Sequence, residues 1–138
     1  MEEKEKLIRR AKNNRNKGHG MERELAKIFR ERLNYTFCKT SRQASRMLDA
    51  CKVDLAFIPY NVQSKCVKAS IKYQEVFEEM QSELDKNYPP TDPQIKYPKL
   101  IFHRRGPKKT QRFVIMQEDE FFDLLEEVDK NNNKYGKQ

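Results

Sequence analysis

Apolar side chains recur at helical spacing in three parts of the chain, and shorter apolar runs lie between them. The helical pattern predicts helices over 21–33, 71–84 and 118–128. Runs rich in β-branched and aromatic residues predict strands over 35–39, 52–58, 62–67, 100–102 and 112–116. The predicted order is helix, three strands, helix, two strands, helix. This order indicates an α/β fold with a central mixed β-sheet flanked by helices.

The polar segments divide the chain into a single domain with two extensions. Residues 1–17 are almost wholly charged or amide, which predicts a basic flexible arm or a frayed helix. Gly18, His19 and Gly20 predict a break before the first clear helix. We therefore place the domain at 18–130 and expect a disordered tail at 131–138. Within the domain, 40–50 is predicted to be a polar linker, and 87–98, which carries four prolines, a loop.

The chain is polar, basic and of a length that suits one domain with a modest core. It has 138 residues, a hydrophobic fraction of 36% and a mean hydropathy of -1.04. A formal net charge of +8 and a pI of about 9.4 favour a polyanionic partner, with nucleic acid preferred over an anionic membrane surface. A solubilising charge balance is the alternative. We expect neither a membrane span nor a secretory signal, because no apolar run approaches roughly 20 residues or follows the N-terminal charges.

The cysteines Cys38, Cys51 and Cys66 are odd in number and widely spaced. They form no C-x-x-C pair and have no histidine pattern nearby, so we expect no zinc site. Each lies in or beside a strand-like run, where a free thiol acts as a small buried apolar group. Unpaired thiols of this kind indicate a reducing cytoplasm.

Three polar residues stand out within the predicted strands 52–58 and 62–67. Side chains alternate faces along a strand, so Gln63 and Lys65 project together. If the two strands form a hairpin with an even-length loop, Asp54 lies on that same face. Glu22 borders the apolar face of the first helix, which places it near the sheet beneath. Oxygen ligands beside an ammonium suit a site for magnesium-dependent phosphodiester cleavage. The alternative interpretation is that these residues only form the polar face of an edge strand.

Around these residues the chain resembles the PD-(D/E)XK nuclease superfamily, and more narrowly the archaeal-type and phage Holliday junction resolvases. The matching pieces are the segment 17–25 that contains Glu22, then Val53 and Asp54, then Gln63, Ser64 and Lys65. The resemblance covers roughly 17–84, and the later strands fit the usual order of the αβββαβ restriction-endonuclease-like core. Gln63 departs from the commonest pattern, which has Glu, although Gln is a known variant there. Val53 in place of Pro is a milder departure.

The resemblance implies a metal-dependent, structure-selective DNA endonuclease that cuts branched DNA, most specifically a Holliday junction resolvase. Its catalytic residues would be Glu22, Asp54, Gln63 and Lys65. Asp54, Gln63 and the backbone carbonyl of Ser64 would ligate Mg²⁺, for which Mn²⁺ is expected to substitute, and Glu22 would bind a second ion or its water. Lys65 would orient the attacking water and offset charge on the phosphate. The resemblance also implies a homodimer in the cytoplasm of a bacterial or phage-infected cell.

Two other interpretations stay open. One is a different nuclease of the same superfamily, of nicking or restriction type. The other is a basic DNA-binding accessory protein without activity, which the uncharged Gln63 keeps open. The expected partner is branched or duplex DNA, because aromatic and basic residues do not interleave as in platforms for single strands. Candidate DNA contacts are Arg15 and Lys17 on the arm, Arg42 and Arg46 on the linker, and Lys68 and 103–105 after strands.

Overall fold

A computed structural model of the chain describes residues 2–130. The helices are α1 (Glu2–Arg32), α2 (Ser41–Ala44), α3 (Arg46–Ala50), α4 (Tyr73–Asn87), α5 (Pro93–Lys96) and α6 (Glu118–Asp129). The strands are β1 (Lys39–Thr40), β2 (Leu55–Ala56), β3 (Asn61–Cys66), β4 (Lys99–Arg104) and β5 (Arg112–Met116), and a 3₁₀ turn covers Lys109–Gln111.

The strands form one mixed sheet and one small antiparallel sheet. β3 pairs with β4 in parallel, and β4 pairs with β5 antiparallel, which makes a three-stranded mixed sheet. β1 and β2 form the second sheet through two residue pairs. The predicted α/β class and the predicted order of the long helices and the strands are therefore confirmed.

Short helices replace two segments that were predicted to be irregular. Residues 41–50 fold into α2 and α3, so the predicted linker is wrong. The Oγ atom of Ser45 accepts a hydrogen bond of 3.2 Å from the N–H of Leu48 and caps α3. Inside the predicted loop 87–98, Asp92 caps α5 through a 2.9 Å bond from the N–H of Gln94. Capping residues, and not apolar periodicity, signal helices this short.

α1 and α4 pack in two separate apolar clusters on either side of the segment around Asp54. On the first side, Leu25 and Phe29 of α1 are buried and pack in one cluster with Val62 of β3. On the second side, Met80 of α4 is buried in another cluster with Val53, which precedes β2. The chain around Asp54 therefore lies between the two helices.

The thiols of Cys38 and Cys51 are buried, as predicted, and Cys66 is half-buried. Burial raises the pKa of the Cys38 thiol to about 11, against a smaller lowering by Arg30. A thiol that stays protonated is a weak nucleophile, so Cys38 acts as a packing group.

α1 continues without interruption through Gly18 and Gly20, so the predicted break is wrong. Glycine lowers helix stability by about 1 kcal/mol relative to alanine, but unlike proline it keeps the N–H that the helix needs. Residues 2–17 are exposed, and half-buried positions begin at Gly18. The exposed part extends α1 by about 24 Å beyond the part that packs on the strands.

The strands near the candidate site are shorter than predicted. The run 35–39 becomes a strand only at Lys39, and the run 52–58 only at Leu55–Ala56. Lys52 and Phe57 each have a φ of 66°, and a residue in this left-handed region interrupts a strand. β2 pairs with β1 instead of forming the predicted hairpin with β3.

α6 is anchored to the start of β4. The backbone N–H and the ammonium of Lys99 donate to the two carboxylate oxygens of Glu120, at 2.7 Å and 3.1 Å.

No helix among residues 2–130 is long and apolar enough to cross a membrane. The predicted tail, 131–138, lies outside the described residues. Large apolar side chains of β5 and α6 are exposed, namely Phe113, Val114, Phe121, Phe122, Leu124, Leu125 and Val128.

Candidate active site

Hydrogen bonds hold Asp54 at the edge of β3. Its backbone N–H donates to the carbonyl of Val62 at 2.7 Å, and its own carbonyl accepts from the N–H of Ser41 at 2.8 Å. Its carboxylate atom Oδ2 accepts from the backbone N–H of Ser64 at 2.7 Å and from the Ser64 hydroxyl at 3.2 Å. The bond to Val62 takes the place of the predicted hairpin and fixes the carboxylate beside β3.

The carboxyl group of Asp54 holds its proton more tightly than an ordinary aspartate. Burial, and to a lesser degree the negative charge of Glu22, raises its pKa from 3.8 to about 7. The hydrogen bonds from Ser64 and the ammonium of Lys65 act in the opposite direction. Glu22, Asp54 and Lys65 therefore lie close enough to interact electrostatically. A carboxylate that burial disfavours in this way gains from a nearby cation.

Gln63 has a buried side-chain oxygen without a partner. The residue is 8% exposed, and among residues 2–130 only its Oε1 atom and the Oγ atom of Ser41 are buried side-chain polar atoms without a hydrogen bond. Leaving such an atom unpaired costs about 1–3 kcal/mol. Both residues adjoin Asp54, because Ser41 bonds its carbonyl and Gln63 precedes Ser64, which bonds its carboxylate.

Lys65 is half-buried and lies two residues beyond Gln63 on β3. Alternation along the strand gives these two side chains the same face, as predicted. The register of the parallel pair sets Lys65 beside His103 of β4.

His103 was predicted to extend a DNA-binding surface, but it is fully buried, so that prediction is wrong. Its Nε2 atom lies 2.8 Å from the carbonyl oxygen of Val67, and its Nδ1 atom lies 2.9 Å from the hydroxyl of Tyr73. Because a carbonyl only accepts, Nε2 carries the proton and donates, and in the neutral ring Nδ1 accepts from the hydroxyl. His103 thereby ties the end of β3 to the start of α4. Its alternation with buried Ile101 along β4 is the sequence signal that indicates this inward position.

Glu22 forms an ion pair with Arg42. A guanidinium N–H of Arg42 donates to Oε2 of Glu22, whose side chain is 14% exposed. Arg42 was predicted to contact phosphates, but in the described structure its guanidinium group is paired with Glu22. The pair balances one negative charge beside Asp54. Glu24 turns instead toward Arg112, at 2.9 Å.

The residues around Asp54 offer oxygen ligands to a hard cation, although few of them are charged. Among residues 2–130, no group of three or more His, Cys, Asp or Glu side chains is arranged to hold a metal ion. Because the N–H and C=O of one strand residue point to the same edge, the Ser64 carbonyl points to the edge where its N–H bonds Asp54. Mg²⁺ takes oxygen ligands and keeps several waters, so this sparse set fits it. The unpartnered Gln63 oxygen supports that fit.

The other predicted DNA contacts are exposed, except for Arg104, which is half-buried and forms an ion pair with Glu24. Arg15 and Lys17 lie on the exposed part of α1, and Arg46 lies on α3. The backbone carbonyl of Lys68, just after β3, accepts a 3.1 Å hydrogen bond from the Nε atom of Arg105. Lys68 and Arg105 thus add positive charge beyond the end of β3.

Comparison of the chain with protein-family models, with curated proteins and with solved structures gives no match. The resemblance to the PD-(D/E)XK superfamily therefore stays a prediction that rests on the residues around Asp54, Gln63 and Lys65.

Proposed function

We propose that the chain is a metal-dependent DNA endonuclease whose catalytic residues are Glu22, Asp54, Gln63 and Lys65. The observation that carries the proposal is the buried, unpartnered Oε1 atom of Gln63. Gln63 immediately precedes Ser64, whose N–H holds the Asp54 carboxylate. A glutamine with a purely structural role is expected to satisfy this atom. A bound Mg²⁺ would satisfy it and would favour the ionised form of Asp54.

Each residue of the site has a task in this proposal. Asp54, Gln63 and the Ser64 carbonyl would hold Mg²⁺, and the bound ion would supply positive charge that polarises the scissile phosphate. Lys65 orients the attacking water and offsets the negative charge that develops on the phosphate oxygens. His103 holds the end of β3 against α4 and so keeps Lys65 in position.

Glu22 and Arg42 are proposed to act when DNA binds. Phosphate oxygens compete with a carboxylate for a guanidinium group, because both acceptors fit its planar fork. A DNA phosphate that draws Arg42 away would free Glu22 to join Asp54 as a second carboxylate. Binding of DNA would then strengthen the binding of metal at the same site.

Branched DNA is the proposed substrate, and a homodimer is the proposed active form. The net charge of +8 suits a ligand with many phosphates. A symmetric dimer would present two sites for paired cuts in opposing strands. The exposed apolar side chains of β5 and α6 supply a surface that a second copy of the chain could cover.

The protein is expected to bind a four-way junction several-fold more tightly than a linear duplex of the same sequence. Both affinities should fall steeply as salt rises, because bound phosphates release counterions. Fluorescence anisotropy in Ca²⁺ over a salt series measures both, with single-stranded DNA as a third ligand. Equal affinity for the junction and the duplex at every salt concentration would reject branch selectivity and favour a nicking or restriction-type nuclease.

Gln63→Glu is expected to tighten Mg²⁺ binding by about tenfold or more, because it adds a negative charge to the ligand set. Titration calorimetry of the DNA-free protein measures this without relying on activity. The matched control is Gln81→Glu, which makes the same charge change on α4. Equal metal affinity in both variants would show that Gln63 is not a ligand.

A DNA-binding protein without activity is the second candidate function. It is favoured by the uncharged Gln63 and by the small number of carboxylates at the site among the described residues. Retained junction binding together with no cleavage in any divalent metal would establish it.

A further inference from the structure

Apart from the predicted DNA contacts Arg15 and Lys17, the exposed half of α1 has no role in the site described above. Residues 2–17 form about four turns of helix whose side chains are all exposed. The large apolar side chains within residues 2–17 are Leu7 and Ile8, and both are exposed. This part of the helix therefore gains little from folding by itself, and a ligand that binds it would add to its stability. Residues 6–17 carry no acidic side chain and six basic ones, namely Lys6, Arg9, Arg10, Lys12, Arg15 and Lys17.

Five of these six basic residues form two groups on opposite faces of the helix, and Arg9 lies between the groups, about 60° from Lys12 and from Lys6. With 3.6 residues per turn, Lys6, Arg10 and Lys17 fall within about 40° of one another around the axis. Lys12 and Arg15 lie within about 60° of each other on the other side, and the two groups are about 170° apart. A helix that lies flat on one phosphate backbone needs cations on only one of these faces.

The continuity of α1 sets this segment beside the candidate site. Arg15 precedes Glu22 by two turns, so the two residues share a helix face and lie about 10 Å apart along the axis. Glu24 pairs with Arg104 and Arg112, where β4 ends and β5 begins. The N-terminal half of α1 therefore projects past the end of the sheet at which Lys65 lies.

We propose that residues 6–17 form a DNA-binding helix that lies between two phosphate backbones next to the site of cleavage. The identity of the ligand as DNA rests on the proposed function. An α-helix is about 10–12 Å across with its side chains, and the major groove of duplex DNA is about 12 Å wide and admits one. Phosphates then lie on both sides of the helix, as they also do between two arms of a branched molecule. Two opposite basic faces match this arrangement.

The experiment measures equilibrium binding of a four-way junction and a linear duplex in Ca²⁺. All variants carry Asp54→Asn, so cleavage does not interfere. Two double variants each remove two charges from one face. A control removes two exposed charges from the last turns of α4 and α5. A proline variant breaks the helix while it keeps every charge. The two face variants are Arg10→Gln with Lys17→Gln, and Lys12→Gln with Arg15→Gln. The control is Lys86→Gln with Lys96→Gln, and the proline variant is Asn14→Pro.

We expect each face variant to lose about tenfold or more in affinity and to reduce the log–log salt slope by about 2, while the control changes neither by as much. Asn14→Pro should lose a similar factor. Circular dichroism checks that the remaining fold is intact in every variant.

Three results would overturn the proposal. The first is a loss of DNA affinity in only one of the two face variants. The second is unchanged affinity of Asn14→Pro. The third is a loss of affinity in the control as large as that in the face variants. Because binding is measured without cleavage, the outcome is separate from that of the proposed nuclease function. Variants that bind normally would refute the DNA-binding helix even if the unmodified protein cuts DNA. Variants that lose binding would support it even if the unmodified protein does not.

Discussion

Asp54→Asn is expected to slow Mg²⁺-dependent cleavage of a four-way junction by at least about a thousandfold. The substitution removes a ligand charge, although the asparagine oxygen can still accept the bond from the Ser64 N–H. Loss of the ion removes several kcal/mol of transition-state stabilisation, and each 1.4 kcal/mol is about tenfold in rate. Binding of the junction should change little, because it rests on many Lys and Arg contacts.

Single-turnover cleavage of a labelled junction, beside a gel shift in Ca²⁺, measures both effects. The control is Asp85→Asn, which removes an exposed carboxylate from α4. Cleavage by Asp54→Asn at the rate of this control would contradict the proposed site.

The same substitution is expected to stabilise the metal-free protein above neutral pH. The pKa of Asp54 is raised from 3.8 to about 7 by folding, so between these values the folded protein binds more protons than the unfolded chain. The free energy of unfolding therefore falls as the pH rises from about 4 to about 7, by on the order of a few kcal/mol. Asparagine has no charge to bury and avoids this loss.

Thermal unfolding in EDTA tests this pH dependence. Asp54→Asn should melt several degrees above the unmodified protein at about pH 8, and at nearly the same temperature at about pH 4. Added Mg²⁺ should raise the melting temperature of the unmodified protein and leave that of the variant unchanged. A lower melting temperature of the variant in EDTA at pH 8 would instead give Asp54 a structural role.

Lys65→Ala is the other substitution for which we expect a large effect, a loss of about 10²–10³ in the rate of cleavage. The ammonium group acts on charge that develops in the transition state, so its loss should reduce the rate at saturating Mg²⁺. The Mg²⁺ concentration that gives half of the maximal rate should stay nearly the same.

Single-turnover rates over a series of Mg²⁺ concentrations separate these two quantities. Lys96→Ala, which removes an exposed ammonium from α5, is the control. A Lys65→Ala protein that regains the full rate at high Mg²⁺ would show that Lys65 acts on metal binding and not on the phosphate.

The elements with several clear apolar periods are those that the sequence predicted best. β5 was predicted at 112–116 and is found there, and α6 begins at the predicted Glu118. The buried face of α1 contains the predicted Leu25 and Phe29. A repeated apolar pattern predicts the existence of an element well. In α1 it also predicts the buried face, whereas most large apolar side chains of β5 and α6 are exposed in the described structure.

The candidate site was predicted only in part. Strand alternation gave Gln63 and Lys65 a common face, but Asp54 reaches β3 by a different route from the predicted hairpin. A backbone bond to Val62 joins the segments, and the left-handed conformation of Phe57 ends β2 early. Backbone conformations of this kind depend on tertiary contacts that a local pattern does not contain.

Pairings between distant residues were beyond prediction from the sequence. The ion pair of Glu22 with Arg42 joins residues 20 positions apart, and it depends on how α1 lies against α2. The unsatisfied oxygen of Gln63 is likewise a product of packing around the side chain. Only a folded structure reports which polar groups are buried without partners.

Cleavage of a four-way junction by the unmodified protein is the most direct test of the proposed function. Opposing strands carry different labels, and Asp54→Asn protein purified in parallel serves as the control for contaminating nucleases. We predict paired, symmetric nicks in opposing strands that require Mg²⁺ or Mn²⁺, stop in EDTA and are absent with Asp54→Asn. No cleavage in either metal, or equal cleavage by the two proteins, would contradict a nuclease site at Asp54, Gln63 and Lys65.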